Sequence, residues 1–435
     1  MQKLQPRIAS GFPEYLPEDQ IEFNRLLAII RETYELYGFA PIDTPDLELK
    51  EVLLAKGGGE TDSQVYEFKR GKNDFVMRFD LTVPFARYVA AHQNDLTFPF
   101  KRYAIGKVHR AERAQAGRFR EFYQCDIDTI GSENPLTDAE FPAVINDIFE
   151  QFNFGEFVIR LNDRRILNGF FANIGISNEA KINVMRIIDK IEKISLDEFH
   201  ELLREQNLSE NQISAIQNFL EIRGETDEIL RKLVELEIRN DDFEKGLASL
   251  KRIISAIRAH KIPEKRFAID LKIARGLDYY TGTVYETFLK DFPQLGSVCS
   301  GGRYDDLTGF YTERKLPGVG ISIGLSRLFY QLREENIIKS TCKSPAKIII
   351  LPITENEISA SLEISQKLRE NKIANLLMTE EISFKKKMHF ADKMNFKFAL
   401  IIGEDEISNQ KFTLRNLETK EEEKLNIEQI IAKIG

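Results

Sequence analysis

Two strand-like runs with no helix between them restrict what this chain can become. FKRYAIGKVHR (100–110) and EFYQCDIDTIG (121–131) are rich in aromatic and β-branched residues and are joined by the loop-like AERAQAGRF. Consecutive strands with no crossover helix predict an antiparallel sheet, hence an α+β domain rather than a doubly wound one. FVMRFDLT before them extends the same block as a strand, and AEFPAVINDIFEQF after them has helical periodicity. The sheet pattern resumes in FAIDLKI (267–273) and TVYETFL (283–289), two further strands of one sheet.

Other segments set the organisation. Helical periodicity runs from about Pro17 to Tyr37 and is stopped by Gly38, with Pro41 and Pro45 beyond. Residues 176–260 are rich in Glu, Lys, Leu and Ile with helical periods, and form a helical insertion between two parts of one sheet. Strand–helix–strand alternation begins near residue 342 with KIIILP, KIANLLM and FKFALIIG, which predicts a small α/β domain with a largely parallel sheet. In that domain acids and bases balance, and the basic FKKKMHFADK is read as a solvated helix face. The predicted division is therefore 1–335, interrupted by 176–260, and 342–435.

At 435 residues and 42% hydrophobic content the chain can bury two or three cores. A formal net charge of -8 excludes a nucleic-acid packaging role, so any nucleic acid must be met by local patches. Cys125, Cys299 and Cys342 are too widely spaced for a disulfide framework or zinc site, and the five histidines show no ligand spacing with them. A reducing, cytoplasmic setting is expected, because no membrane span or apolar signal segment is present.

Three segments carry chemistry. Between Lys107 and Arg120 lie five Lys or Arg residues and one acid, in a glycine-containing hairpin suited to phosphates. GVGISIGLSRL brings glycines to a strand-to-helix passage with Arg327 in the first turns of the helix, where anions are favoured. RFDLTVPFARYV ends a strand with Asp80 and Thr82, an N-cap pattern that is equally an acceptor pair for an ammonium group. The helix after it is expected to begin at about Pro84.

Together these segments resemble the class II aminoacyl-tRNA synthetases over nearly the whole chain. FKRYAIGKVHRAERAQAGRFREFYQCDID resembles their second motif, GVGISIGLSRL the third, and the Tyr34–Pro45 region the first, where the dimer forms. ARGLDYYTGTVYE (274–286) and CSGGRYDDL (299–307) resemble the two histidine-specific signatures of the histidyl-tRNA synthetases. The fold implied is an antiparallel-sheet catalytic domain with a helical insertion and a C-terminal α/β anticodon-binding domain. The activity implied is ATP-dependent activation of L-histidine to histidyl-adenylate, with transfer to the 3′ end of tRNA(His) by a homodimer that uses Mg²⁺ on the ATP phosphates. An alternative is an inactive paralogue acting as a regulatory or tRNA-sensing subunit.

The resemblance also assigns roles. Asp80, Leu81, Thr82 and Gln124 belong to the histidine site, with Asp80, Thr82 and Gln124 on the α-ammonium. Family members often carry Glu where Asp80 stands. Asp128 and Tyr280 meet the imidazole nitrogens, with Tyr279 and Tyr304 in the same pocket. Arg110 and Arg275 act on the α-phosphate as the catalytic pair. Glu112, Phe122 and Arg327 bind the rest of ATP, with Phe122 and Arg327 on the two faces of adenine. Arg113 and Gln115 approach the tRNA acceptor end. Apart from the resemblance, Gly57, Gly58 and Gly59 before Glu60 suggest a flexible loop over the site.

Overall fold

The computed structural model describes residues 4–55, 64–113, 117–273, 280–305 and 307–435. Two compact units are present, one of Met1–Pro13 with Ala28–Ile337 and one of Glu14–Leu27 with Ile338–Gly435.

The first unit is built on an eight-stranded sheet. Its order is Ala40–Pro41, Phe100–His109, Glu121–Ile130, Gly318–Ile323, Cys299–Tyr304, Tyr280–Leu289, Phe157–Asp163 and Phe267–Ile269. All neighbours pair antiparallel except the two edge strands, which pair parallel. The Phe100–His109 and Glu121–Ile130 runs form an unbroken ladder, Phe100 opposite Ile130 and His109 opposite Glu121. The antiparallel prediction holds there.

One face of this sheet is covered. The helix Pro135–Phe152 starts with Pro135 at its first turn and an Asn134 cap that accepts from the Leu136 amide. It buries Phe141, Ile145 and Phe149 completely or nearly so. From the helix Pro17–Leu36, Tyr34 reaches the sheet backbone and donates to the Cys125 carbonyl at 2.9 Å.

Residues 176–260 hold five helices, Asn178–Ile188, Leu196–Glu205, Glu210–Leu220, Thr226–Glu235 and Asp241–Ala259. Serine or asparagine caps start four of them: Ser177, Ser195, Ser209 and Asn240. The last helix packs on Arg164–Asn173 and Pro135–Phe152, so the insertion returns its final helix to the core of the unit.

Several strand boundaries differ from the sequence expectation, two of them for reasons the hydrogen bonds show. FAIDLKI is strand only over Phe267–Ile269, because the Asp270 carboxylate accepts the Lys272 amide at 3.1 Å and turns the chain. FVMRFDLT is strand only to Met77, and the next helix already begins at Thr82. Asp80 accepts the Val83 amide at 3.1 Å and stabilises that earlier start.

The second unit has a five-stranded sheet in the order Asn375–Leu377, Ile348–Pro352, Phe398–Ile402, Phe412–Asn416, Glu422–Leu425. The first three are parallel, as expected. The last two are antiparallel, which the strand–helix–strand alternation does not predict. Ile364 and Leu368 of the helix Ile358–Glu370 share one apolar cluster with Ile430 and Ile434 of the helix Ile427–Ile434. Ala391, of the helix Phe384–Lys393, belongs to the cluster on the other face. FKKKMHFADK is only partly the solvated face expected: Lys385 and Lys386 are exposed, but Lys387 is buried and its Nζ donates to the Pro352 carbonyl at 2.9 Å.

Candidate active site

The open face of the large sheet floors a cleft of about 510 Å³. Strand alternation puts side chains two apart on one face. On Glu121–Ile130 this places Phe122, Gln124, Asp126 and Asp128 in the cleft, while Cys125 and Ile127 are fully buried. Asp80, Thr82, Arg110, Glu112, Tyr280, Tyr304 and Arg327 line the same cleft. Ten residues assigned from widely separated segments therefore converge on one site, counting these seven with Phe122, Gln124 and Asp128, and Ser322 of the glycine-rich strand lies beside them.

At one end the charges are buried. Arg102 is fully buried on the neighbouring strand, and its Nη2 lies 2.5 Å from Asp128 Oδ2. The same nitrogen donates to the Leu81 carbonyl at 3.3 Å, and the guanidinium sits 4.2 Å from the centre of the Phe85 ring. Tyr304 donates its hydroxyl to Asp128 Oδ1 at 2.9 Å. A carboxylate oxygen can accept more than one bond, so Asp128 keeps capacity for a ligand N–H. Gly320 and Gly318 give this pair its space: a Cβ on Gly320 would stand 2.1 Å from Asp128 Oδ1, and one on Gly318 2.4 Å from the Tyr304 ring. Gly318 and Gly320 of the glycine-rich strand thus make room for the protein's own side chains.

Gln124 donates its amide to Ser322 Oγ at 3.0 Å, and its Oε1 is buried with no hydrogen-bond partner among the described residues. That oxygen is an acceptor awaiting a donor, as an ammonium site requires. Asp80 and Asp126 are also buried. Burial pushes the Asp80 carboxyl up to about 6, against the Val83 amide and the positive Arg110 and Arg102. Burial pushes Asp126 up to about 7, against Arg102 and the Ser322 hydroxyl. Asp128 is raised for the same first reason, with Arg102 and Tyr304 opposing. Three buried carboxylates thus surround one buried guanidinium, and the excess negative charge suits a cationic ligand.

The other end is built for an anion beside an aromatic surface. Arg110 donates Nε to the Phe79 carbonyl at 3.0 Å, with its guanidinium 5.1 Å from the centre of the Phe122 ring. Arg327, the third residue of the helix Leu325–Glu334, donates to the Leu295 carbonyl at 3.2 Å. The Glu112 carbonyl accepts from Arg120 Nε at 2.9 Å. Arg118 and Phe119 join this wall.

Some assigned residues lie elsewhere. The Leu81 side chain packs with Ala104 and Val108, so Leu81 contributes its carbonyl to Arg102 rather than a surface to the cleft. Arg113 is exposed. Arg275, Tyr279, Gln115 and Gly57–Gly59 lie outside the described residues. Sequence reasoning missed Arg102, Asp126 and Ser322. Alternation from Gln124 and Asp128 points to Asp126, and antiparallel register puts Ser322 opposite it. Arg102 carries no local signal, since an arginine in an edge-like strand is usually solvated.

Among the described residues no helix is long and apolar enough to cross a membrane, and no group of three His, Cys, Asp or Glu side chains could hold a metal ion.

A mixed, mostly antiparallel sheet with this cleft on its open face defines a class II aminoacyl-tRNA synthetase unit. The family profile of the histidyl-tRNA synthetases matches residues 11–328, and that of an anticodon binding domain matches 347–435. The chain is 49% identical to a histidine–tRNA ligase of Clostridium tetani over 98% of both chains, and 43% identical to one of Finegoldia magna over 99% of this chain and all of the other. A crystal structure of histidyl-tRNA synthetase from Nostoc sp. PCC 7120 superposes with a TM-score of 0.94 at 40% identity, covering 99% of each chain. An ATP phosphoribosyltransferase regulatory subunit/histidyl-tRNA synthetase from Bacillus halodurans shares the fold, with a TM-score of 0.75 at 21% identity over 92% of this chain and 99% of that one. The chain belongs to the histidyl-tRNA synthetase family.

Proposed function

We propose that the chain is a histidine–tRNA ligase, which forms histidyl-adenylate and pyrophosphate from L-histidine and ATP and then transfers histidine to the 3′ end of tRNA(His). The observation that carries this reading is the single cleft with a carboxylate-rich end around Asp128 and an arginine–aromatic end at Arg110 and Phe122. The α-ammonium is held by Asp80, Thr82 and the Gln124 Oε1 acceptor. The imidazole lies between Asp128 and Tyr280, with Tyr304 fixing the carboxylate. A pocket that leaves polar groups unpaired with the wrong side chain rejects it strongly.

The histidine carboxylate is already the nucleophile, so no residue has to remove a proton for the first step. Arg110 steadies the α-phosphate as its charge grows, and its bond to the Phe79 carbonyl fixes the guanidinium beforehand. Placing the two substrates end to end in one cleft supplies the remaining advantage. Arg275, with Tyr279 in the imidazole pocket, carries its role by resemblance, as do Arg113 and Gln115 toward the acceptor end. Phe122 and Arg327 flank the adenine, and Glu112 reads its edge.

The donor set suits a magnesium ion carried in on phosphates. Such an ion needs only one or two protein carboxylates, and Glu112 and Glu286 line the cleft. Magnesium, when bound, neutralises charge on the β- and γ-phosphates.

The second unit takes the anticodon, the 176–260 helices the acceptor stem, and the chain works in the cytoplasm. A homodimer is favoured by the small sheet Leu47–Leu49, Asn73–Met77, Glu67–Arg70, which exposes Leu47, Leu49 and Phe68. Histidine-dependent exchange of labelled pyrophosphate into ATP, followed by aminoacylation of tRNA(His), tests the reading. No exchange by folded protein would leave the paralogue alternative.

A further inference from the structure

Behind the histidine end, on the covered face of the sheet, lies a buried polar cluster that takes no part in the reaction described above. Asp138, fully buried in the helix Pro135–Phe152, pairs with Arg303 through both carboxylate oxygens, at 3.1 Å and 3.0 Å from Nε. Arg303 Nη2 reaches the same carboxylate, and Nη1 donates to the Ser132 carbonyl at 2.8 Å. Thr283 donates its hydroxyl to Asp138 Oδ2 at 2.7 Å, and Tyr285 donates to the Asp138 carbonyl at 2.8 Å.

Arg303 and Thr283 meet at an irregularity in the sheet. Cys299–Tyr304 pairs regularly with Tyr280–Leu289 as far as Gly302 opposite Val284, and then Tyr304 stands opposite Tyr280. Thr281, Gly282 and Thr283 are therefore accommodated against Arg303 alone. A bulge of this kind bends its strand and re-aims the side chains beyond it. Here the residue beyond is Tyr280, whose ring lies 3.0 Å from where a Cβ on Gly302 would stand. It joins Tyr304 in one apolar cluster and in the wall of the cleft.

We infer that Asp138, Arg303 and Thr283 are positioning residues that lock this bulge and so hold Tyr280 beside Tyr304 at the imidazole end, an inference that rests on the proposed histidine site. Alternation along Cys299–Tyr304 sends Arg303 to the covered face and Tyr304 to the cleft, so a clamp on one fixes the other. Asp138 is the shared acceptor. It ties the bulged strand, through Thr283, to the regular strand, through Arg303, and both to the helix behind. Loosening it lets Tyr280 leave its place while the nucleotide end stays intact.

The test uses the full-length protein with L-histidine, ATP and a histidine methylated on one ring nitrogen. Thr283→Val keeps the side-chain shape and removes only the hydroxyl. It should weaken histidine binding roughly tenfold, leave ATP binding unchanged, and narrow the discrimination against the methylated analogue. Thr283→Ser should restore both histidine affinity and the discrimination. Asp138→Asn should shift the same ratio further while lowering the melting temperature. Equal losses of histidine and ATP affinity, or a lowered melting temperature with wild-type discrimination, would overturn the inference, because a merely structural role predicts them. A wild-type chain that fails to bind histidine would instead overturn the site assignment itself.

Discussion

The strand Glu121–Ile130 and the strand Ile348–Pro352 each run through the middle of a sheet, yet one lines a polar cleft and the other is apolar on both faces. In Ile348–Pro352, Ile348 and Ile350 face one apolar cluster while Ile349 and Leu351 face another. Helices cover both sides, so both faces must be apolar. In Glu121–Ile130 the Cys125 and Ile127 side is buried, while on the other side only Ile130 packs against the helix Thr82–Ala91, and Gln124, Asp126 and Asp128 are left to line the cleft. What separates a structural strand from a binding strand here is which face the helices leave uncovered.

The comparison sharpens most at Asp128. Asp128→Ala should raise the histidine dissociation constant by about 10³, with ATP affinity preserved, as read by calorimetric titration of each ligand. The loss should exceed that of one hydrogen bond, because Arg102 would keep a buried charge with no carboxylate at 2.5 Å. Unchanged histidine affinity would remove Asp128 from the site.

Ile350→Ala addresses the other strand. Ile350 is fully buried, and its truncation should destabilise the second unit by about 3 kcal/mol. Pyrophosphate exchange should persist at temperatures where that unit has not yet melted, since every assigned cleft residue lies in the first unit. Loss of exchange in step with the loss of stability would mean the two strands are not separable in function.

A smaller effect follows from pH. With Asp126 raised to about 7 and Asp80 to about 6, the native chain holds more protons than the unfolded one from about pH 4 upward. Stability therefore falls as pH rises through that window, and is full below it. Asp126→Asn should flatten the fall, so the variant gains on wild type at pH 8 relative to pH 5 in melting curves. The ligand works in the opposite direction. An ammonium beside Asp80 favours its ionised form, so histidine binding should strengthen as pH rises through about 6. Asp80→Asn should bind roughly tenfold more weakly and lose that part of the dependence, leaving only the titration of free histidine. A variant with the wild-type pH profile would contradict the role of Asp80.

The smallest expected change is at Lys387→Met. The buried stem of this lysine packs like an apolar side chain, and only its Nζ bond to the Pro352 carbonyl is lost. A cost of about 1 kcal/mol is expected in chemical denaturation of the second unit. A much larger loss would show that this face depends on its buried charge, contrary to the apolar contrast drawn above.

The legible parts of the molecule were those where local pattern and tertiary surroundings agree. Phe100–His109 and Glu121–Ile130 read as strands because their aromatic and β-branched residues suit the interior of a sheet. The helix Pro17–Leu36 ended where Gly38 takes a positive φ of 75°. The misses have physical causes. Phe412–Asn416 and Glu422–Leu425 form the margin of the second sheet, and EEKL is exposed over Glu422, Glu423 and Lys424, so no apolar alternation marks it. Arg102 is visible only once the fold surrounds it with Asp128, Leu81 and Phe85. The Asp138–Arg303 pair joins residues far apart in the chain, and neither neighbourhood hints at the other.

The three-to-one imbalance of buried carboxylates around Arg102 has a thermodynamic consequence. Without substrate these three buried carboxyls outnumber the Arg102 guanidinium, and burial raises the proton affinity of each of them. At the proposed site the α-ammonium of histidine would add a cation to this cluster. Above neutral pH its arrival is then a folding event as much as a recognition event. The amino acid alone, before any ATP, should act as a chaperone for this domain, and more so in alkaline solution than in acid.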